Sequence, residues 1–222
     1  MRWWVWLIGV MFIAGCAAEL DVPGGVEVIE RIDLPEPEVN GGRALTSALA
    51  QRRSVREFQA TSLSLDELSQ LLWAAQGITS EKGQRTAPSA GATYPLELYV
   101  VTDQGFYHYN PGLHQLESIG SNDLRADLAR AALSQESVEK APAVFVFAGV
   151  FARTAQRYGE RAERYVKIEI GHAAQNLHLQ AVALGLGSVP VGAFHDDEVR
   201  AVLNLPPDHE PLYLIPVGYP AE

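Results

Sequence analysis

The stretch Glu160–Leu184, ERAERYVKIEIGHAAQNLHLQAVAL, reads as one long helix. Ile168, Ala173, Leu177, Ala181 and Leu184 supply its apolar positions, and Gly185 and Gly187 end the run. A helix this long can be the spine of a domain. Just upstream, Ala143–Val150 is an apolar run bounded by Pro142, expected as a strand buried on both faces. Asp123–Leu133 is amphipathic and helical in pattern. Phe106–Tyr109 and Gln115–Ser118 flank Asn110-Pro111-Gly112, a hairpin signal, and Leu96–Thr102 alternates as a strand. Residues 79–93 read as loop. Ser64-Leu65-Asp66-Glu67 is a capping box that opens a helix closing at Gly77, and Ala44–Arg53 reads as a first helix. Downstream, Ser188–Ala193 is expected as a strand, Asp196–Leu203 as a short helix and Pro211–Val217 as a last strand. Helices and strands mixed in this way predict an α+β layered domain. The order is not a serial βαβ array and no G-x-G-x-x-G follows a strand, which argues against a Rossmann dinucleotide fold.

The 222 residues are 47% hydrophobic and 20% charged, ordinary values for a globular chain. Seventeen basic residues against 27 acidic give a formal charge of −10, which opposes binding to nucleic acid. The single cysteine, Cys16, excludes an internal disulfide and a cysteine zinc site. Its position is informative. Met1-Arg2 is a short cationic start, and Trp3–Ile13 is apolar apart from Gly9, too short for a bilayer span and suited to a signal peptide. Ile13-Ala14-Gly15-Cys16 then resembles a bacterial lipobox, so residues 1–15 are expected to be a lipoprotein signal peptide and Cys16 the lipidation site. Residues 16–42, punctuated by Pro23-Gly24-Gly25, Pro35-Glu36-Pro37 and Asn40-Gly41-Gly42, are expected as a tether. Val26–Ile32 within it has the pattern of an edge strand. The folded domain is placed at 43–222, and the location at the cell envelope, on its periplasmic or extracellular face.

Three stretches stand out chemically. Arg52-Arg53-Ser54-Val55-Arg56 gathers three guanidinium groups and a hydroxyl in an acidic protein, a donor set suited to a phosphate. A solvated helix end would look the same. Ala87-Pro88-Ser89-Ala90-Gly91-Ala92-Thr93-Tyr94-Pro95 offers small residues and prolines on which a flat ring can rest. Gly185–Gly192 turns from helix to strand and presents a backbone open to close approach. Glu169, His172 and Gln175 or Asn176 share helical spacing, a set that suits acid–base work or plain polar packing. Glu169-x-x-His172 has no partner at metal-ligand spacing, so no metal site is assigned. No G-x-S-x-G occurs, and lipidation consumes the only thiol. An anion clamp and two ring-sized cradles, without a nucleophile, suggest that a cofactor carries the chemistry.

The ordered motifs together resemble the nitroreductase family of FMN proteins, and most closely its SagB/ThcOx-type dehydrogenase subgroup. The likeness covers about residues 43–219. It rests on Arg52-Arg53-Ser54-x-Arg56, Ser64-Leu65-x-Glu67-Leu68-x-x-Leu71-Leu72-Trp73-Ala74-Ala75-Gln76-Gly77 and Thr86-Ala87-Pro88-Ser89-Ala90-Gly91-Ala92-x-Tyr94-Pro95. Tyr158-Gly159-x-Arg161, Glu169-x-Gly171-His172-x-Ala174-Gln175-Asn176 and Gly185-Leu186-Gly187 complete it. The resemblance implies a mixed sheet surrounded by helices with a long central helix. It implies Arg52 and Arg56 as the FMN phosphate clamp, with Arg53 and Ser54 contributing. It implies Pro88, Ser89, Ala90 and Gly91 along the flavin ring and ribityl chain, and Pro190, Val191 and Gly192 over the ring, the Gly192 amide facing flavin N5. Family members are homodimers that run ping-pong through flavin N5. Many nitroreductases have Asn and Gln where Ala92 and Tyr94 stand here. The azoline oxidases carry a catalytic Lys-Tyr pair where Arg164-Tyr165 stands, and arginine cannot act as a base near neutral pH.

The expected protein is therefore an FMN-dependent oxidoreductase, tethered to a membrane. Its electron acceptor would be a small molecule or peptide, and its reductant NAD(P)H, a quinone or a redox protein. The alternative is a repurposed flavin-binding or envelope lipoprotein module without turnover.

Overall fold

The structure, a computed structural model, describes residues 27–221. The expected signal peptide and Cys16 lie outside the described residues. Seven strands form one sheet in the order β1-β4-β3-β2-β5-β7-β6. They are β1 (Glu30–Asp33), β2 (Leu96–Thr102), β3 (Gly105–Asn110), β4 (Gln115–Gly120), β5 (Ala143–Gly149), β6 (Gly187–Ser188) and β7 (Glu210–Gly218). The helices are α1 (Leu45–Gln51), α2 (Leu65–Gln76), α3 (Arg125–Ala131), α4 (Glu136–Lys140), α5 (Phe151–Tyr158), α6 (Ala162–Ala183) and α7 (Asp196–Val202). Every pairing between these strands is antiparallel; a parallel link occurs at the isolated bridge between Ser54 and Ser188.

β5 lies near the middle of the sheet and is buried from end to end, as its continuous apolar run predicts. Phe145 and Phe147 face one core with α2 and α6; Val144 and Val146 face a second with α3 and α7. Each such side chain contributes about 1.5–3 kcal/mol on leaving water. α2 begins where its capping box predicts: the Glu67 N–H donates to Ser64 Oγ at 3.2 Å, and the Ser64 N–H donates to Glu67 Oε2 at 2.8 Å.

Three local expectations change. The stretch 30–38, within the expected tether, joins the domain, and the edge strand expected over Val26–Ile32 forms at Glu30–Asp33. β1 pairs with β4, Leu34 is buried in the first core, and Gln70 bonds both backbone groups of Glu38. Alternation of Ile32 and Leu34 drives this, because an edge strand with one apolar face finds a core to cover. The strand expected over Ser188–Ala193 is only Gly187–Ser188: the Val189 N–H reaches Pro216 O, but Pro216 has no N–H to return, and Val191 then rejoins β7 through Leu214. The long helix starts at Ala162 rather than Glu160, after a 3₁₀ turn over Gly159–Arg161 in which Gly159 has φ 54°. α5, which precedes that turn, is short, and its stripe of Phe151, Ala155 and Tyr158 is not among the expected helices. Among the described residues, no helix is long and apolar enough to cross a membrane.

Candidate functional site

The guanidinium cluster begins where α1 ends. Arg52 caps the helix, its N–H bonded to Ala48 O at 2.9 Å. The chain then leaves in extended form and docks on β6. Ser54 bridges Ser188, and the Val55 N–H donates to Ser188 O at 3.0 Å. Gly187 permits this approach: a Cβ there would stand 2.6 Å from Val55 Cβ. The helix-to-strand segment is thus the floor on which the cluster lies.

Arg53 folds back, its Nη1 donating to Ala50 O at 3.0 Å and Arg52 O at 2.7 Å. Among the described residues, neither Arg52 nor Arg56 has a carboxylate within ion-pair distance. Arg52 is half-buried and Arg56 exposed. Two guanidinium groups without counter-charges therefore flank one short segment, which suits an anion. Below them His178, on α6, is 5% exposed and shares a 2.7 Å hydrogen bond between its Nδ1 and Ser188 Oγ. Burial, and then the charge of Arg52, pull His178 down to about 4, so it stays neutral at pH 7.

The second cradle is held from two sides. Pro88 and Ser89 lead into a 3₁₀ turn over Ala90–Ala92, where Gly91 has φ 61°. Ala92 and Tyr94 also take positive φ, at 54° and 44°, which non-glycine residues adopt only when held. The hold comes from α5. Arg157 Nη1 donates to Gly91 O at 3.2 Å, Arg153 Nη1 to Tyr94 O at 3.2 Å, and Thr93 and Thr154 share a hydrogen bond of 2.9 Å. A Cβ on Gly91 would stand 2.7 Å from the Tyr158 hydroxyl.

From beneath, Glu169 of α6 approaches Ser89. The Tyr94 N–H donates to Ser89 Oγ at 2.9 Å, which leaves the hydroxyl proton for the Glu169 carboxylate. Glu169 is 2% exposed, and its Oε1 is buried without a partner. Burial raises its carboxyl to about 7, against the opposing pull of Ser89 and Arg85. His172 and Gln175, grouped with Glu169 on helical spacing, are exposed instead, and Asn176 is half-buried. The boundary of burial runs between them, so they do not form one set with Glu169.

Of the third stretch, Pro190 is half-buried and Gly192 exposed, but the Val191 side chain is buried in the second core. Val191 can therefore meet a ligand only through its backbone. A Cβ on Gly192 would have Tyr213 Cε2 at 3.7 Å, an ordinary contact, so this chain itself leaves room for a side chain there. His178, under the guanidinium cluster, and Glu169, under the Ser89 loop, sit nine residues apart on α6. At a rise of about 1.5 Å per residue, that separates the two cradles by about 13 Å along the helix.

Sequence reasoning did not find the polar network beside the Ser89 loop. Glu97 accepts from His108 Nε2 at 2.7 Å and pairs with Arg153; His108 Nδ1 lies 3.2 Å from Glu117. Burial pushes Glu97 up, but His108 and Arg153 outweigh it and hold the carboxyl near about 2. Arg85 lies over the Tyr94 ring, 4.6 Å from its centroid. The one local signal was Glu97, a charge between Leu96 and Leu98 in a strand.

Comparison with known proteins yields a consistent set. The profile of the nitroreductase family matches residues 49–219. A Methanocaldococcus jannaschii protein named as a nitroreductase is 47% identical over 180 residues, covering 78% of this chain and 90% of its own. A trifolitoxin operon protein of Rhizobium leguminosarum bv. trifolii is 27% identical over 196 residues, covering 78% of this chain and 55% of its own. Among solved structures, a nitroreductase from Ralstonia eutropha superposes with a TM-score of 0.79 at 32% identity, covering 86% of this chain and 90% of that one. The NADPH:FMN oxidoreductase of Vibrio harveyi, complexed with NAD+, has the same fold at a TM-score of 0.61 and 22% identity, covering 80% and 69%.

Proposed function

The chain belongs to the nitroreductase family of oxidoreductases, and from that premise we propose that it is an FMN-dependent enzyme of the SagB/ThcOx-type subgroup, working as a homodimer anchored to a membrane. The observation that carries the cofactor assignment is the pair Arg52 and Arg56, which among the described residues lack carboxylate partners, beside a strand that Gly187 opens to close approach. On this reading both side chains bind the FMN phosphate through planar N–H pairs. Arg53, tied back to Ala50, orients the segment, and Ser54 adds a hydroxyl donor. Pro88, Ser89, Ala90 and Gly91 rest along the ring and ribityl chain, on a loop that α5 holds in one conformation. Pro190 and Val191 contribute backbone, and the exposed Gly192 N–H is the donor to the ring. FMN, when bound, supplies hydride and electron transfer through its N5 atom. The protein's own work is to bind, orient and exclude water.

The distant likeness to a trifolitoxin operon protein fits the subgroup, and the NADPH:FMN oxidoreductase fits NAD(P)H as one reductant. Outside the cytoplasm a quinone or redox protein fills that role. Localisation follows from Cys16 and the apolar run before it.

The purified protein is expected to be yellow and to gain thermal stability with FMN by mass action. Arg52→Ala with Arg56→Ala should lower FMN affinity by about 100-fold or more, at roughly 1.5–3 kcal/mol for each charged hydrogen bond lost. Unchanged flavin occupancy in that variant overturns the clamp. Cys16→Ser should move the protein from the membrane to the soluble fraction, read by fractionation; continued membrane retention overturns the lipid anchor.

A further inference from the structure

β2 and β3 pair only from Tyr99 opposite His108 to Thr102 opposite Gly105. The start of β2, Leu96–Leu98, therefore has no β3 partner, while β3 continues along β4 to Asn110. The strands splay, and between them opens a cleft of about 250 Å³. Its walls carry Arg85 and Gln76 among polar groups and Leu96, Leu98 and Tyr109 among apolar ones.

The donors in this cleft are not balanced by acceptors. Glu97 is already engaged by His108 and Arg153, and Glu117 by His108 and by Asn110 Nδ2 at 3.1 Å. Arg85 has no carboxylate within ion-pair distance among the described residues; Glu97 on the cleft wall, and more weakly Glu169 from the α6 side, attract it only at longer range. Its one hydrogen bond within the protein runs from Nη1 to Gln76 Oε1 at 2.7 Å. That bond also fixes the Gln76 amide, because the flipped form would set N–H groups against a guanidinium. Gln76 Nε2 is thereby left as a donor without a partner, on a side chain 1% exposed. The Tyr94 ring holds the guanidinium plane in place, so the remaining in-plane N–H groups keep a fixed direction. Burial lowers the affinity of Arg85 for its proton by more than the nearby charges of Glu97 and Glu169 raise it.

We infer that this cleft is a binding site for a small organic carboxylate, gripped by Arg85 and Gln76 Nε2, with its apolar body against Leu96, Leu98 and Tyr109. A single negative charge matches one guanidinium that makes no direct ion pair among the described residues, and a planar carboxylate matches its paired donors. A dianion such as phosphate suits the cleft less, since Glu97 lines the same wall. The assignment is independent of the flavin reading.

The test is calorimetric titration of the full chain with sodium benzoate, sodium malonate and inorganic phosphate at matched ionic strength. Benzoate should bind saturably. Gln76→Glu keeps an acceptor for Arg85 but replaces the free donor with a negative charge, and should weaken benzoate at least about tenfold. Arg85→Gln should do the same. Arg52→Ala with Arg56→Ala should leave benzoate binding unchanged, which separates this site from the flavin clamp. No saturable binding of either carboxylate overturns the site, as does equal affinity in folded Gln76→Glu. Phosphate binding as tightly as benzoate overturns the carboxylate class.

Discussion

Glu169 shows what a single side chain contributes here. It is a carboxyl on the inward face of α6, close to Ser89 and with Oε1 unpartnered. Its folded value is raised from 4.5 to about 7, so between those values the folded state holds a proton that the unfolded chain has released. Its contribution to stability is therefore fully present below about 4.5 and is lost as pH rises through about 7. Glu169→Gln should flatten that part of the Tm-versus-pH curve, on the order of 1–3 kcal/mol between its ends. A curve with the wild-type slope in that window counts against the buried, unpaired carboxyl. His178 works in the opposite sense: its folded value is depressed to about 4, so its contribution is present above its ordinary 6.5 and lost as pH falls through about 4. The residue types at both places were readable in the chain. Their burial was not, because Glu169 and the exposed His172 are three residues apart and differ only in which neighbours cover them.

At the scale of elements, β6 is the hinge of the candidate site. It is two residues long, yet it links the guanidinium segment through Val55, α6 through His178 and β7 through Gly187 and Ser188. Gly187→Ala places a methyl against Val55 at 2.6 Å and should displace the Arg52–Arg56 segment. The expected cost is about 1–3 kcal/mol with a parallel loss of FMN affinity, measured by thermal unfolding and flavin titration. Wild-type flavin affinity would show that the segment does not depend on this contact. Elements with strong local signals were legible. The bounds of β2 and the start of α2 follow from alternation and from Ser64 and Glu67, which act within a few residues. The Asn110-Pro111-Gly112 turn joins β3 to β4 as read. α5 is not expected from the sequence, because its eight residues offer only a short apolar stripe, Phe151, Ala155 and Tyr158, and are held by hydrogen bonds to the Ser89 loop. Those partners lie about 60 positions away in the chain, as Thr93 and Thr154 show with a separation of 61.

For the whole molecule, three exposed apolar side chains bear on the proposed homodimer. Leu45 and Leu49 on α1 are 63% and 53% exposed, and Ile168 on α6 is 47% exposed. Exposed large side chains on helices that flank the candidate site fit the proposed homodimer. Leu45→Glu with Leu49→Glu should shift the protein from dimer to monomer by light scattering and lower flavin retention with it. A variant that remains dimeric places the interface elsewhere.

By itself, the chain determined the α+β class, the helix caps, the central helix and the three small-residue or cationic stretches, since periodicity, glycine and charge act locally. It also determined the apolar start ending at Cys16. Only the tertiary structure decided which of those stretches meet. Antiparallel pairing and the packing of α6 bring Ser188 under Val55, Glu169 under Ser89, and Arg85 beside the stretch of β2 that β3 leaves unpaired. These are contacts between residues far apart in the chain, set by which apolar faces bury one another, and no local pattern carries that information.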